Sequence, residues 1–80
     1  MTKQYGYFFI VRELFEFDLE SIQKIMKEVV VLKAEMEFCR DAIRYEAWSA
    51  HFRCLSDGER LPKYSVQLNR NGSVLFDEDD

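Results

Sequence analysis

The fold of this chain depends on the ten-residue stretch Val29-Val30-Val31-Leu32-Lys33-Ala34-Glu35-Met36-Glu37-Phe38. As a helix, it would continue an apolar stripe that runs from Ile22 to Ile43 at alternating spacings of three and four residues. As a strand, it would turn its even-numbered apolar residues to one face and Lys33, Glu35 and Glu37 to the other. These two interpretations lead to different architectures.

We favour the strand. Three consecutive valines are stiff at χ1, which weakens a helix and suits a pleated sheet. Although residues 33–37 are good helix formers, charged and apolar side chains alternate over residues 32–38. The pattern therefore predicts a helix over residues 18–28, followed by a strand over residues 29–39.

Signals on both sides of this stretch predict further strands. Residues 5–11 are aromatic and β-branched and apolar on both faces, which is typical of a central strand. Asp18 is suited to cap the helix. Residues 43–49 would pair with the preceding strand, and Pro62 would open another. Asn71-Gly72 predicts a two-residue type I′ turn into a last strand over residues 73–76.

The predicted order β-α-β-β-β-β indicates an α+β fold. It would be a small antiparallel-rich sheet of four or five strands with one principal helix packed on one face. We expect a single domain over residues 1–76 and an acidic, disordered tail over residues 77–80. The residues predicted to be buried are Phe9, Ile22, Val29, Leu32, Met36, Val66 and Leu68.

Composition narrows the class of protein. With 80 residues, 48% of them hydrophobic, the chain is expected to fold around one core. The net charge of −4 equals the charge of the four acidic residues at the C-terminus, so the rest is neutral. No apolar run is long enough to span a membrane, and the N-terminus lacks the features of a signal peptide. We therefore expect a cytoplasmic protein with Cys39 and Cys54 as reduced, buried thiols.

Catalytic chemistry has little support in the sequence. His51 and Cys54, with Asp57 nearby, contain the groups of a nucleophile and its base. Residues three apart in a strand point to opposite faces, however, so this pair would need a turn to meet. One histidine and two cysteines do not complete a metal site, and the three glycines are isolated rather than grouped in a phosphate loop. We predict a protein that is not an enzyme and has no metal or cofactor.

Basic and aromatic residues are interleaved in the second half of the chain. Single-stranded nucleic acids are held by such surfaces, with charge contacting the phosphates and aromatic rings stacking on the bases. Acidic residues in the same region neutralise much of the charge, so this is the alternative function. Its candidate residues are Arg40, Arg44, Arg53 and Arg60, near Tyr45, Trp48, Phe52 and Tyr64.

The first strand has more apolar surface than one helix can cover. The uncovered face would be closed by a partner protein, by a second copy, or by the loop over residues 52–61. We expect association, including a homodimer of about 19 kDa, twice the 9.6 kDa chain, with Trp48 as its anchor. The partner-binding candidates are Tyr5, Tyr7, Tyr45, Trp48 and Phe52.

The favoured function is therefore a small protein-binding module that regulates or inhibits a partner protein. In size and composition alone, the chain is similar to small accessory proteins of bacteriophages and mobile elements, many of which block a host protein. This analogy involves no specific residue.

Overall fold

The computed structural model describes residues 3–79, which form a five-stranded mixed sheet and two helices. The strands lie side by side in the order β2-β3-β1-β4-β5, so that the N-terminal strand is central. The elements are β1 (Tyr5–Val11), α1 (Arg12–Phe17), α2 (Leu19–Met26), β2 (Val30–Glu37), β3 (Ala42–Trp48), β4 (Lys63–Leu68) and β5 (Val74–Asp79).

The decisive stretch is a strand, as predicted. β2 pairs antiparallel with β3, and a bulge at Leu32 shifts the register between Val31 and Lys33. The helix before it begins where the sequence indicated. The Asp18 carboxylate accepts the backbone N–H of Ser21 at 3.2 Å and the Ser21 hydroxyl at 2.6 Å. The first bond satisfies a free backbone N–H at the N-terminus of α2, and both bonds hold the pKa of Asp18 below its ordinary value.

The α+β class is confirmed, with two corrections. The sheet is mixed because β4 runs parallel to β1, whereas β3 runs antiparallel to it. There are also two helices rather than one, since α1 follows β1 directly. The turn between β2 and β3 holds the start of α1. Arg12 donates its backbone N–H to the Asp41 carbonyl, and its Nε lies 2.9 Å from the Asp41 carboxylate.

The hairpin at Asn71-Gly72 exists, but its turn is not type I′. A type I′ turn needs positive φ at both central residues, and among the described non-glycine residues only Asp41 has one. Instead, the Gly72 N–H donates to the Asn69 carbonyl and the Asn69 N–H donates to the Ser73 carbonyl, both at 2.9 Å. Gly72, at φ +86°, takes the left-handed position of a three-residue loop.

The acidic C-terminus differs from the disordered tail that we expected to begin at Asp77. Residues 77–79 are the end of β5 and pair with residues 63–65 of β4. Two of the three carboxylates, those of Glu78 and Asp79, have partners, which helps to explain why acids are tolerated in this strand. Asp79 accepts the Ser65 hydroxyl at 2.7 Å, and Glu78 accepts the Arg53 Nε at 2.6 Å. Asp80 lies outside the described residues.

The hydrophobic core lies on one side of the sheet, which we call the core face. Its buried sheet residues are covered by Ile22 and Ile25 of α2 and by Phe52 of the loop over residues 49–62. The residues that the sheet contributes to the core face are Phe8, Ile10, Ala47, Tyr64 and Phe76.

The predicted core was only partly right. Ile22 is buried, and Phe9, Val29 and Val66 are half-buried. Leu32, Met36 and Leu68 are exposed, with 55%, 36% and 36% of their surface accessible. Leu32 and Met36 are exposed because they lie in β2, which is an edge strand, whereas the helices cover the centre of the sheet.

Gly6 allows the closest packing on the core face. Phe52 stacks on Tyr64 with ring centroids 4.2 Å apart, and this pair lies directly over Gly6. A Cβ at Gly6 would lie 2.5 Å and 2.7 Å from two Tyr64 ring carbons. Only a residue without a side chain lets the ring approach β1 this closely.

Two substitutions in α2 test the one-sided core. Ile25 is 3% exposed and Leu19 is 57% exposed. Ile25→Ala should lower the free energy of unfolding by about 2–5 kcal/mol, because it leaves a cavity. Leu19→Ala, the matched control in the same helix, should change it by less than about 1 kcal/mol. Urea unfolding measures both, and equal losses would contradict this packing.

Candidate functional site

The side of the sheet opposite the core carries a row of half-buried aromatic residues. Tyr5, Tyr7 and Phe9 alternate along β1 with the buried core residues, and Trp48 of β3 lies opposite Tyr5 in the register. We call this the open face. Both helices and Phe52 pack on the core face, so within residues 3–79 the open face has no helix over it.

Cationic side chains lie over these rings. The Arg44 guanidinium is 4.3 Å from the Tyr7 ring centroid, and the Arg40 guanidinium is 4.6 Å from that of Phe9. The Lys63 ammonium approaches Phe9 from another side at 5.6 Å. Tyr7 also contacts Phe9 edge-to-face. The result is a continuous surface of alternating aromatic and cationic groups.

Carboxylates balance most of this charge. Arg44 donates to Glu46 at 2.8 Å, and the Lys63 ammonium lies 3.7 Å from Asp79. At the β2 side, the Lys33 ammonium lies 3.5 Å from Glu35 and 3.8 Å from Glu46. The open face is therefore amphiphilic and close to neutral rather than a basic patch.

Three of the five predicted partner-binding residues lie on the open face, and two do not. Tyr5, Tyr7 and Trp48 are brought together. Phe52 is 2% exposed in the core, and Tyr45 stacks on Phe8 with centroids 5.5 Å apart. Tyr45 lies opposite Phe8 in the β1–β3 register and must share its face. Its burial raises the pKa of its hydroxyl.

The loop over residues 49–62 turns towards the core face. Phe52 enters the core, and the buried Ser49 donates its hydroxyl to the Glu28 carbonyl at 2.8 Å, which ties the loop to the end of α2. One expectation was that the loop over residues 52–61 covers the face of the sheet opposite the helix. For Phe52 this is wrong, because its side chain lies on the core face.

The four arginines proposed for nucleic-acid binding are divided. Arg40 and Arg44 lie on the open face. Arg53 lies in the loop between Glu59 and Glu78, and both carboxylates accept its donors. Arg60 lines an open cleft of about 630 Å³ with Tyr7, Lys63 and Glu78. The sequence pattern thus combined two arginines of the open face with Arg53, whose donors are already bound, and with Arg60, whose cleft shares Tyr7 and Lys63 with the open face.

The other candidate groups are also dispersed. His51 contacts Glu28 through Nε2 at 2.9 Å and stacks on Phe76. Cys39 and Cys54 are free, but both are exposed, so the expectation of buried thiols was wrong. Within residues 3–79, no group of three histidine, cysteine or acidic side chains is placed to hold a metal ion.

Phe9 is the site residue that we missed, because we assigned it to the core. Its spacing from Tyr5 and Tyr7 was a usable signal, since strand residues two apart share a face. The position of Arg40 over its ring depends on the β2–β3 turn, which the local sequence does not specify.

The chain matches no protein-family model, and comparisons with curated proteins and with solved structures find no similar chain. Neither helix in the described part of the chain is long and apolar enough to cross a membrane.

The Arg53–Glu59 pair predicts a measurable acid sensitivity. Hydrogen bonds from Arg53 and from the Ser56 backbone lower the pKa of Glu59 from 4.5 to about 2. A lowered pKa in the folded state adds stability above pH 4.5, and this contribution is lost as the pH falls towards 2.

Glu59→Gln should remove that contribution. The urea midpoints of the variant and of the original chain should differ at neutral pH and converge as the pH falls through this range. Other carboxylates, including Asp18 and Asp41, titrate in both proteins and cancel in the difference. A constant offset at every pH would show that the ionised form of Glu59 does not stabilise the fold.

Proposed function

We propose that this protein is a non-enzymatic protein-binding module whose open face docks on a partner protein and regulates or inhibits it. The observation that carries the proposal is the row Tyr5, Tyr7, Phe9 and Trp48, which remains half-exposed, whereas α2 and Phe52 cover the centre of the core face. A sheet with one covered side has a second surface available for recognition.

The residue types on the open face support a protein partner. Tyrosine, tryptophan and arginine dominate the residues whose truncation weakens protein interfaces most. Here they are adjacent, with Tyr5 opposite Trp48 in the register and Arg44 over Tyr7. Their side chains combine a large apolar area with hydrogen-bonding groups.

The open face is also preorganised. Arg44 is held both by the Tyr7 ring and by Glu46, and Arg40 is held by Phe9. Because these long side chains already lie against the sheet, less conformational entropy is lost when a partner binds. The near-balance of charges favours a partner surface that is itself mixed rather than uniformly acidic.

Single-stranded nucleic acid is the second candidate. The observation that favours it is the position of Arg40 and Arg44 beside Tyr7 and Phe9 on one sheet face. Two observations weigh against it. Arginines already occupy positions over rings on which bases would stack, and Glu46 and Asp79 place negative charge beside them.

Substitutions on the two sides of the sheet test the proposed function. The tagged protein is used to capture partners from the cells that encode it, followed by mass analysis and titration of the purified partner. Tyr7→Ala and Trp48→Ala should each weaken binding about 10- to 100-fold, as expected for aromatic anchors. Leu19→Ala, on the helix side, is the matched control and should bind normally.

The salt dependence separates the two candidates. Binding through aromatic contacts should change little between low and high salt, whereas nucleic-acid binding should fall steeply and weaken in Arg44→Glu. A single-stranded oligonucleotide is the probe. Tight, salt-sensitive binding to it, or partner capture that is unaffected by both open-face variants, would contradict the protein-binding proposal.

A further inference from the structure

The edge strand β2 is exposed along almost its whole length. It pairs with β3 on one side and is the outermost strand on the other. Every residue from Val30 to Met36 is exposed, including Val30 at 48%, Val31 at 41% and Leu32 at 55%. An apolar edge strand of this kind offers its backbone N–H and C=O groups for pairing with another strand.

We infer that two copies of this chain pair through their β2 edges, antiparallel and with Ala34 opposite Ala34. In an antiparallel pair of identical strands, the two copies are related by a twofold axis that passes between two copies of the same residue, the central residue. A residue that precedes the central residue by some number of positions opposes the residue that follows it by the same number. Each possible register is therefore defined by its central residue. The charges on β2 decide between the registers.

Only the register centred on Ala34 opposes unlike charges without also opposing like charges. A centre at Lys33 would place two lysines face to face. A centre at Glu35 would pair Lys33 with Glu37 but would also place two glutamates face to face. A centre at Met36 would oppose Glu35 and Glu37. With Ala34 at the centre, Lys33 of each copy opposes Glu35 of the other, which gives two reciprocal ion pairs.

The apolar residues agree with this register. Around Ala34, the segment 33–35 reads basic, small, acidic, and the apolar residues Leu32 and Met36 flank it on its two sides. Both side chains are exposed in the single chain. The smallest side chain occupies the axis, where the two copies approach most closely.

In edge strands generally, a lysine or a bulge discourages pairing with another strand, and β2 contains both. Lys33 has Glu35 two residues away, so it opposes association in the register centred on itself and favours association in the register centred on Ala34. The bulge at Leu32 lies outside the central residues 33–35. These features restrict the register.

The dimer would be a continuous sheet with five strands from each copy. The twofold axis of such an antiparallel pair is perpendicular to the sheet, so both open faces lie on the same side and remain accessible. This contact does not use Trp48, the anchor that the sequence suggested for a homodimer. The inference is independent of the proposed function, because β2 pairing leaves Tyr7 and Trp48 available.

Charge exchange tests the register. Lys33→Glu and Glu35→Lys each place like charges opposite each other twice, and each should raise the dimer dissociation constant about tenfold or more. The two variants mixed together should form a heterodimer, since every opposed pair is then unlike. The double variant Lys33→Glu/Glu35→Lys should recover the homodimer. Light scattering after size exclusion distinguishes 9.6 kDa from twice that mass.

Controls keep the outcomes distinct. Lys27→Glu makes the same charge change at an exposed site in the turn after α2, outside β2, and should leave the dimer intact. Circular dichroism and urea midpoints show that each variant is folded. A wild-type chain that is monomeric at about 100 μM, or a dimer unaffected by either single reversal, overturns the inference. A dimer lost in Trp48→Ala but kept in Lys33→Glu overturns it in favour of an open-face contact.

Discussion

The stack of Phe52 on Tyr64 is the contact on which the rest of the structure depends. The loop over residues 49–62 has to carry the chain across the sheet so that β4 can lie parallel to β1. Phe52 fixes the loop in the core, where its ring also meets Phe76 edge-to-face, and Gly6 provides the space beneath. The Tyr64 hydroxyl accepts the Arg53 N–H at 3.1 Å, so the same ring holds the loop backbone.

This contact determines which side of the sheet is available. The core face is buried by α2 and by the aromatic cluster around Phe52. The loop over residues 49–62 therefore contributes Phe52 to the same face that α2 covers. Tyr5, Tyr7 and Phe9 remain on the other face, supported by cations from the β2–β3 turn and from β3 and β4. The proposed recognition through the aromatic row and the proposed self-association at the β2 edge would therefore use different parts of the sheet.

Local chemistry in the sequence predicted the local structure well. The Asp18 cap, the valine-rich strand and the position of the last hairpin follow from interactions between near neighbours, which short segments encode. The parallel placement of β4 could not be predicted in this way, because it depends on contacts between Phe52, Tyr64 and Gly6, which are distant in the chain. The same limitation misassigned Tyr45, which belongs with Phe8 only once the β1–β3 register is known. For Phe9 the spacing gave the shared face with Tyr5 and Tyr7, but which face of β1 the helices cover depends on contacts distant in the chain.

The central position of β1 also determines the order in which the chain can assemble. β1 is synthesised well before its two neighbours in the sheet, β3 and β4. The β2–β3 hairpin closes through the short turn over residues 38–41 and can form early, whereas β1 must wait for a long loop to close on each side. During synthesis, an aromatic strand with two unpaired edges leaves the ribosome ahead of its partners. The newly made chain is therefore most prone to aggregation at β1, before β3 and β4 have been synthesised.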